Sequence, residues 1–238
     1  MKVVLGRDLL AANEDKAAKN RELFDQAGVL VVNLISSPGS GKTTLLEKTA
    51  QFLGGDLKMG AIVGDLYTDR DARRLSEAGM VTVQINTEGV CHLDAKMVAR
   101  ALQEMPLTSL DLLFIENVGN LVCPAAFDLG EHVKVAVLSV AEGTDKPTKY
   151  PGVFRESGAV VINKSDLLPY TDFNVKNCLD DLREIKENMA IFVISAKTGA
   201  GINQWYKWLR ELLARSEKNV LRDSGPGGGN AGQGLGCN

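Results

Sequence analysis

Residues 29–35 (VLVVNLI) form a run that is apolar but for Asn33 and rich in β-branched side chains. Such a run suits a strand buried on both faces of a parallel sheet. It leads directly into residues 36–44 (SSPGSGKTT) and then into residues 45–53 (LLEKTAQFL), where apolar positions recur at helical spacing. Strand, glycine-rich loop and helix in this order constrain the chain more than any other feature. The order is the context in which a loop of the type GxxxxGK(S/T) wraps a phosphate chain. Gly39 and Gly41 let the backbone come close to the anion, and the loop amides and the helix N-terminus face it. Lys42 supplies the charge for the β- and γ-phosphates, and Thr43 offers a hydroxyl to Mg²⁺. Ser37, Ser40 and Thr44 complete the expected phosphate-side set. Ser36 stands where the pattern has its first glycine.

The rest of the chain repeats the alternation. Strands are expected at 29–36, 59–64, 81–86, 111–116, 133–140, 159–162 and 190–194. Helices are expected at 42–53, 69–78, 93–104, 173–188 and 203–216. The implied fold class is α/β, a P-loop NTPase with a mainly parallel sheet and helices on both faces. Residues 8–27 lack Pro and Gly and carry Leu9, Leu10, Leu23 and Phe24. They read as an N-terminal helix or helix pair packed on the domain. The expected organisation is an N-terminal helical segment at 1–28, a nucleotide-hydrolysing domain at 29–217 and a glycine-rich disordered tail at 218–238.

The base is read further along. Residues 159–162 (AVVI) run into Asn163, Lys164, Ser165 and Asp166. Guanine presents an N1–H beside a 2-amino group, and one carboxylate accepts both. Adenine would leave that carboxylate unpaired, and an unpaired buried acceptor makes discrimination large. Asp166 takes this role. Asn163 is expected to tie its loop to the phosphate loop or to the base, and the Lys164 stem to cover the base face. Residues 191–194 (IFVI) then lead into Ser195, Ala196 and Lys197, matching the loop that G proteins place opposite their NKxD segment. The nucleotide expected is GTP.

Two further strand ends carry carboxylates. Asp65 closes AIVGD, and Glu116 follows LLFI and precedes Asn117, Val118 and Gly119. In P-loop proteins such carboxylates hold Mg²⁺ or its water, and a DxxG glycine senses the γ-phosphate. Glu116 replaces the Asp of that pattern. Lys42, Asp65 and Glu116 are the expected catalytic residues, with Thr43, Asp65 and Glu116 around Mg²⁺. Asp69, Asp71, Arg73 and Arg74 read as surface helix charges.

Cys91 and His92 are adjacent on a loop that begins a helix. Thiolate and imidazole can share one metal, but two ligands are too few for a tetrahedral or square-planar site. Cys123, just after the Gly119 segment, could add a third, and a symmetric dimer could complete the set. On residues alone an adjacent Cys-His pair is more often structural; its place beside both acidic strand ends favours metal.

At 238 residues, 45% hydrophobic and 24% charged, the chain suits a single α/β domain with a sizeable core. The net charge of −3 gives no reason to expect nucleic acid. No apolar run reaches membrane-span length and the N-terminus lacks a signal-peptide pattern, so the cytoplasm is the expected compartment. Cys91, Cys123, Cys178 and Cys237 then read as reduced or metal-binding, not as a disulfide framework.

Together, SSPGSGKTTLLEKT, VGDLYTDRDARR, GVCHLDA, FIENVGNLVCPA, GTDKPTKYP, NKSDLLPY and SAKTGAGI resemble the HypB family, GTPases that help load nickel into nickel–iron hydrogenase and belong to the dimer-forming SIMIBI class. The resemblance covers about residues 1–217. Serine at the Ser36 position is usual in that family. The resemblance implies that Cys91, His92 and Cys123 bind Ni²⁺ or Zn²⁺ at or near a GTP-favoured homodimer interface. It also implies two partners, a small nickel/zinc-binding accessory protein of the HypA kind and the hydrogenase large-subunit precursor. On the charge and the apolar runs above, neither nucleic acid nor membrane is expected as a partner. Two features of some members are missing: residues 1–28 hold no Cys, and His92 and His132 are the only histidines. Metal binding is therefore expected at the internal site alone, without nickel storage. His132 reads as a loop-end histidine. Lys146 and Lys149 read equally as nucleotide or cross-subunit contacts and as solvated loop lysines. The nearest rival reading, the urease nickel GTPase UreG, has a Cys-Pro-His metal motif where this chain has Cys91 and His92 adjacent. A GTPase chaperone of another metalloenzyme is more distant.

Overall fold

The computed structural model describes residues 6–223. Seven strands form one fully parallel sheet in the order β3-β2-β4-β1-β5-β6-β7. They are β1 (Leu30–Ser36), β2 (Met59–Asp65), β3 (Val81–Asn86), β4 (Leu112–Glu116), β5 (Val133–Ser139), β6 (Ala159–Asn163) and β7 (Ala190–Val193). Every expected strand is present, with ends shifted by a residue or so. β1 lies at the centre, paired with β4 on one side and β5 on the other. The loop after β1 therefore opens at the carboxyl edge of the sheet, where doubly wound folds bind their ligands.

Alternation along β1 divides the core. Leu30, Val32 and Leu34 face a cluster with Leu45, Leu46 and Leu53 of α2 (Lys42–Leu53) and Leu75 of α3 (Arg70–Glu77). Trp205 and Leu209 of the C-terminal helix join the same cluster. Val29 and Val31 point the other way, toward Phe24 of α1 (Gly6–Ala27) and Val98 of α4 (Ala95–Ala101). Ile35 meets a third cluster with Phe154 and Leu182. That face is covered by α5 (Cys123–Ala126), α6 (Lys146–Lys149), α7 (Pro151–Glu156) and α8 (Val175–Ile185). The sheet core is fully buried at Phe114, Leu34 and Ile162. Aliphatic and aromatic side chains buried to this extent each contribute about 1.5–3 kcal/mol.

Three short helices, α5, α6 and α7, were not foreseen from periodicity, because four to six residues carry too little of a 3.6-residue repeat to register. The expected helix 93–104 splits into α4 and a 3₁₀ turn, Leu102–Glu104. The N-terminal segment is one helix, α1. The last helix, α9 (Ile202–Asp223), runs past the boundary expected at 217 and into the expected tail. Residues 224–238, including Cys237, lie outside the described residues. Among the described residues, no helix is long and apolar enough to cross a membrane.

Candidate functional site

The phosphate loop closes on itself. The Ser40 amide donates to the Ser37 carbonyl. Gly41 caps α2 with φ of 97°. A Cβ there would lie 2.5 Å from Asn163 Nδ2, so glycine is needed both for the turn and for the approach of the second loop. Lys42 Nζ donates to Ser36 Oγ at 2.9 Å. The serine that replaces the usual glycine thus gives the lysine a resting partner. Burial pulls the Lys42 ammonium below its ordinary range, against the opposing pull of Glu116 and other carboxylates.

The base loops are cross-braced. Asn163 Nδ2 donates to the Ser40 carbonyl at 3.0 Å, and Asn163 Oδ1 accepts from the Ala196 amide at 2.9 Å. One buried side chain therefore ties the phosphate loop to both base segments. Lys164, in the left-handed region at φ 61°, donates to the Gly39 carbonyl at 2.6 Å. Ser195 Oγ donates to Asp166 Oδ1 at 2.6 Å. These contacts fix one carboxylate oxygen and aim the side chain. A cavity of about 330 Å³ is lined by Gly41, Thr44, Asn163, Lys164, Asp166 and Lys197, among others, a size that suits a purine nucleoside.

Thr43 Oγ1 donates to Glu116 Oε1 at 2.8 Å. The other carboxylate oxygen, Oε2, is buried and makes no hydrogen bond. Burial pushes the Glu116 carboxyl from 4.5 up to about 7, against the attraction of Lys42 and the Thr43 bond. An orphaned carboxylate oxygen beside a threonine hydroxyl fits a hard cation such as Mg²⁺, which takes oxygen ligands. Asp65 is placed differently. Its Oδ1 accepts from the amides of Tyr67 and Thr68 at 2.9 and 2.7 Å. Burial works to raise its pKa, but those amide bonds prevail and hold it below the usual range. No hydrogen bond joins it to Thr43 or Glu116.

Cys91, His92 and Cys123 converge. One ligand atom from each lies within 4.8 Å of the others, with the two sulfurs 3.1 Å apart and Cys91 Sγ 3.9 Å from His92 Nδ1. The His92 ring stacks on Phe127 at 4.0 Å between centroids. Partial burial keeps its pKa below the ordinary value, only partly offset by Asp94, so the neutral ligating form is favoured. The bond from Cys91 and partial burial raise the Cys123 thiol. Two sulfurs and an imidazole suit Zn²⁺ or Ni²⁺ and leave at least one position open.

Some functional contacts were not foreseen. Glu142 accepts from Ser40 Oγ at 2.6 Å and from the Ser139 amide at 3.0 Å. The residues Ser139 and Glu142 form a capping box, a signal that is present in the sequence. Arg74, read as a surface charge, pairs with Glu47 at 2.6 Å and reaches Thr44 Oγ1 at 3.1 Å. Asp69 and Arg73 do pair on the helix surface, at 2.7 Å. Lys146 lies 4.0 Å from Glu142, and Lys149 pairs with Asp145 at 2.5 Å. His132 accepts from the Val31 amide and contacts Asp25, a structural brace between β1 and α1.

Sheet order, phosphate loop and crossed base loops define a P-loop nucleotide-binding protein. Residues 30–193 match the family model described as CobW/HypB/UreG, nucleotide-binding domain. The chain belongs to this family, within its HypB branch. It is 49% identical over 92% of its length to a hydrogenase maturation factor HypB from Azotobacter chroococcum mcd 1, spanning 73% of that protein. It is 45% identical to the hydrogenase/urease maturation factor HypB from Helicobacter hepaticus, covering 87% of each chain. Among solved structures, HypB from Archaeoglobus fulgidus matches with TM-score 0.81 and 40% identity, over 86% of this chain and 100% of that one. HypB from Helicobacter pylori in complex with nickel matches with the same TM-score and identity, over 88% and 97%. A LAO/AO transport system kinase, 15% identical with TM-score 0.53 over 94% of this chain and 79% of that one, shares the fold alone.

Proposed function

We propose that this protein is a GTP-hydrolysing nickel-delivery factor for hydrogenase maturation. One observation carries the reading. The short segment 116–123 begins with the carboxylate that bonds the phosphate-loop Thr43 and ends with Cys123 of the Cys91/His92/Cys123 cluster. Nucleotide chemistry and metal ligation thus share one stretch of backbone. The names of the relatives, hydrogenase maturation factors, and the nickel complex of the Helicobacter pylori protein support the same reading.

In this mechanism Asp166 accepts the two guanine donors while Asn163 and Lys164 hold the phosphate loop against the base loops. Lys42 leaves Ser36 for the β- and γ-phosphates. Thr43 and Glu116 would hold Mg²⁺, which supplies charge neutralisation on the phosphates. Asp65 completes the acidic rim. Water attacks the γ-phosphate, and the loop amides and Lys42 stabilise the charge that develops. The γ-phosphate orders segment 116–123, and its loss relaxes the segment and the metal ligands with it. Nickel is cargo at Cys91, His92 and Cys123, and Zn²⁺ can compete for the same donors. A GTP-favoured homodimer would complete the ligand set, with a HypA-like accessory protein and the hydrogenase large-subunit precursor as the giving and receiving partners. The Helicobacter hepaticus relative, named for urease as well, makes urease a second recipient to consider.

The test is nickel and zinc titration of a Cys91→Ala/His92→Ala double variant with GDP and with a non-hydrolysable GTP analogue. Metal binding should be lost in both states. Unchanged binding would overturn the metal assignment.

A further inference from the structure

Segment 116–123 touches the metal loop through a buried side chain that neither binds nucleotide nor ligates metal. Asn117 is 1% exposed and sits directly after Glu116. Its Oδ1 accepts from two amides, Leu93 at 3.1 Å and Val118 at 3.0 Å. Its Nδ2 donates to Asn33 Oδ1 at 3.4 Å, and Asn33 Nδ2 donates to Glu131 Oε1 at 3.0 Å. Asn33 lies on β1, three residues before Ser36, so the amide of Asn117 is clamped from the central strand. Leu93 is fully buried and follows His92. A Cβ on Gly64 would lie 2.8 Å from the Leu93 side chain, which is therefore seated on the strand end that carries Asp65. Two further contacts bind the same pieces. Gly119 packs on Pro38 of the phosphate loop, and Asn120 donates to the Cys91 carbonyl at 3.4 Å.

We propose that Asn117 is the positioning residue that transmits nucleotide state to the metal ligands. The claim rests on the nickel-GTPase reading above. The physical reason is the geometry of one rigid side chain. Asn117 follows the carboxylate that answers to Thr43, so any shift of Glu116 with the γ-phosphate moves its backbone. Its carboxamide is buried and holds the amide of Leu93. Losing that acceptor would leave a buried N–H unpaired, which is costly, so the Leu93 backbone follows Asn117 when it moves. Leu93 is joined to His92 by one peptide bond, and the ligand set changes shape. A contact that differs between two states is what allosteric coupling requires, and the coupling must be reciprocal.

The experiment measures Ni²⁺ affinity of the full chain with GDP and with a non-hydrolysable GTP analogue, and the affinities of both nucleotides with and without Ni²⁺. Coupled sites differ by about 5–150-fold between states. Asn117→Leu removes the acceptor, and its ratio should fall toward one for nickel and nucleotide alike. Asn117→Asp keeps the acceptor and loses only the Asn33 bond, so it should retain most of the ratio. A thermal melt of each variant reports folding. A folded Asn117→Leu variant with the wild-type ratio would overturn the proposal. If it does not fold, the smaller Asn117→Ala variant, which also lacks the acceptor for the Leu93 amide, should lower the ratio, and an unchanged ratio there would overturn the proposal instead. A wild-type ratio of one would refute the nucleotide–metal switch itself, a separate failure from that of Asn117.

Discussion

Glu116→Gln separates the carboxylate's charge from its shape. In the folded protein burial raises the Glu116 carboxyl from 4.5 to about 7. A raised carboxyl means that the folded state keeps a proton the unfolded chain gives up. The stability it contributes is full below the unfolded value and is lost as pH rises through the folded one. At about 1.4 kcal/mol per unit, the window from 4.5 to about 7 corresponds to about 3 kcal/mol. Glutamine keeps the acceptor for Thr43 and never ionises. The assay is urea unfolding in chelator-containing buffer between about pH 5 and about pH 8. The wild type should lose stability across the range by about this amount beyond the loss seen in Glu116→Gln. With GDP present throughout, adding Mg²⁺ should restore the wild type at the alkaline end, because a bound cation favours the ionised carboxylate, and should add little for the variant. Equal pH slopes for the two proteins without metal would refute the burial argument. Equal Mg²⁺ response would refute the role of Glu116 at the cation.

Asp166→Asn should turn base preference from guanine toward xanthine, whose extra carbonyl wants a donor; competition by ATP, GTP and XTP measures it, and an unchanged order would remove Asp166 from the base site. Gly119→Ala should destabilise the fold by about 1–3 kcal/mol and weaken GTP binding. A Cβ there would lie 2.9 Å from the Pro38 Cα, backbone that cannot simply swing aside. Thermal melts and nucleotide titration check both effects, and a variant with wild-type values would show that the 119 segment yields freely.

The seven strands and the longer helices were readable because buried parallel strands are written as short, mostly apolar runs such as VVNLI and LLFIE, and long helices as a 3.6-residue repeat. The short helices after Val122 and Glu142 were not, for they are set by turns and proline positions rather than by periodicity. The site divides in the same way. Lys42, Thr43, Asn163 and Asp166 lie in local motifs whose spacing carries their chemistry. Glu142 on Ser40, Arg74 on Thr44 and Asn117 on Leu93 join residues far apart in the chain, and no local pattern encodes such a meeting.

The choice of nucleotide is written locally, because phosphate and guanine recognition each need only a few residues on a loop that follows one strand. The sequence by itself also singled out Cys91, His92 and Cys123 as candidates. Their meeting belongs to the fold, since Cys91 and Cys123 lie 32 positions apart, on the loops that follow β3 and β4 at the carboxyl edge, either side of β2. The tertiary structure further decided that Glu116, and not Asp65, bonds Thr43, and that Asn117 ties that carboxylate's segment to the metal loop. Local motifs are fixed by the covalent spacing of adjacent residues. Long-range pairing is fixed by the sheet order β3-β2-β4-β1, which sets the loops after β1 and β4 side by side and lets the loop after β3 reach them across the end of β2, where Leu93 meets Gly64.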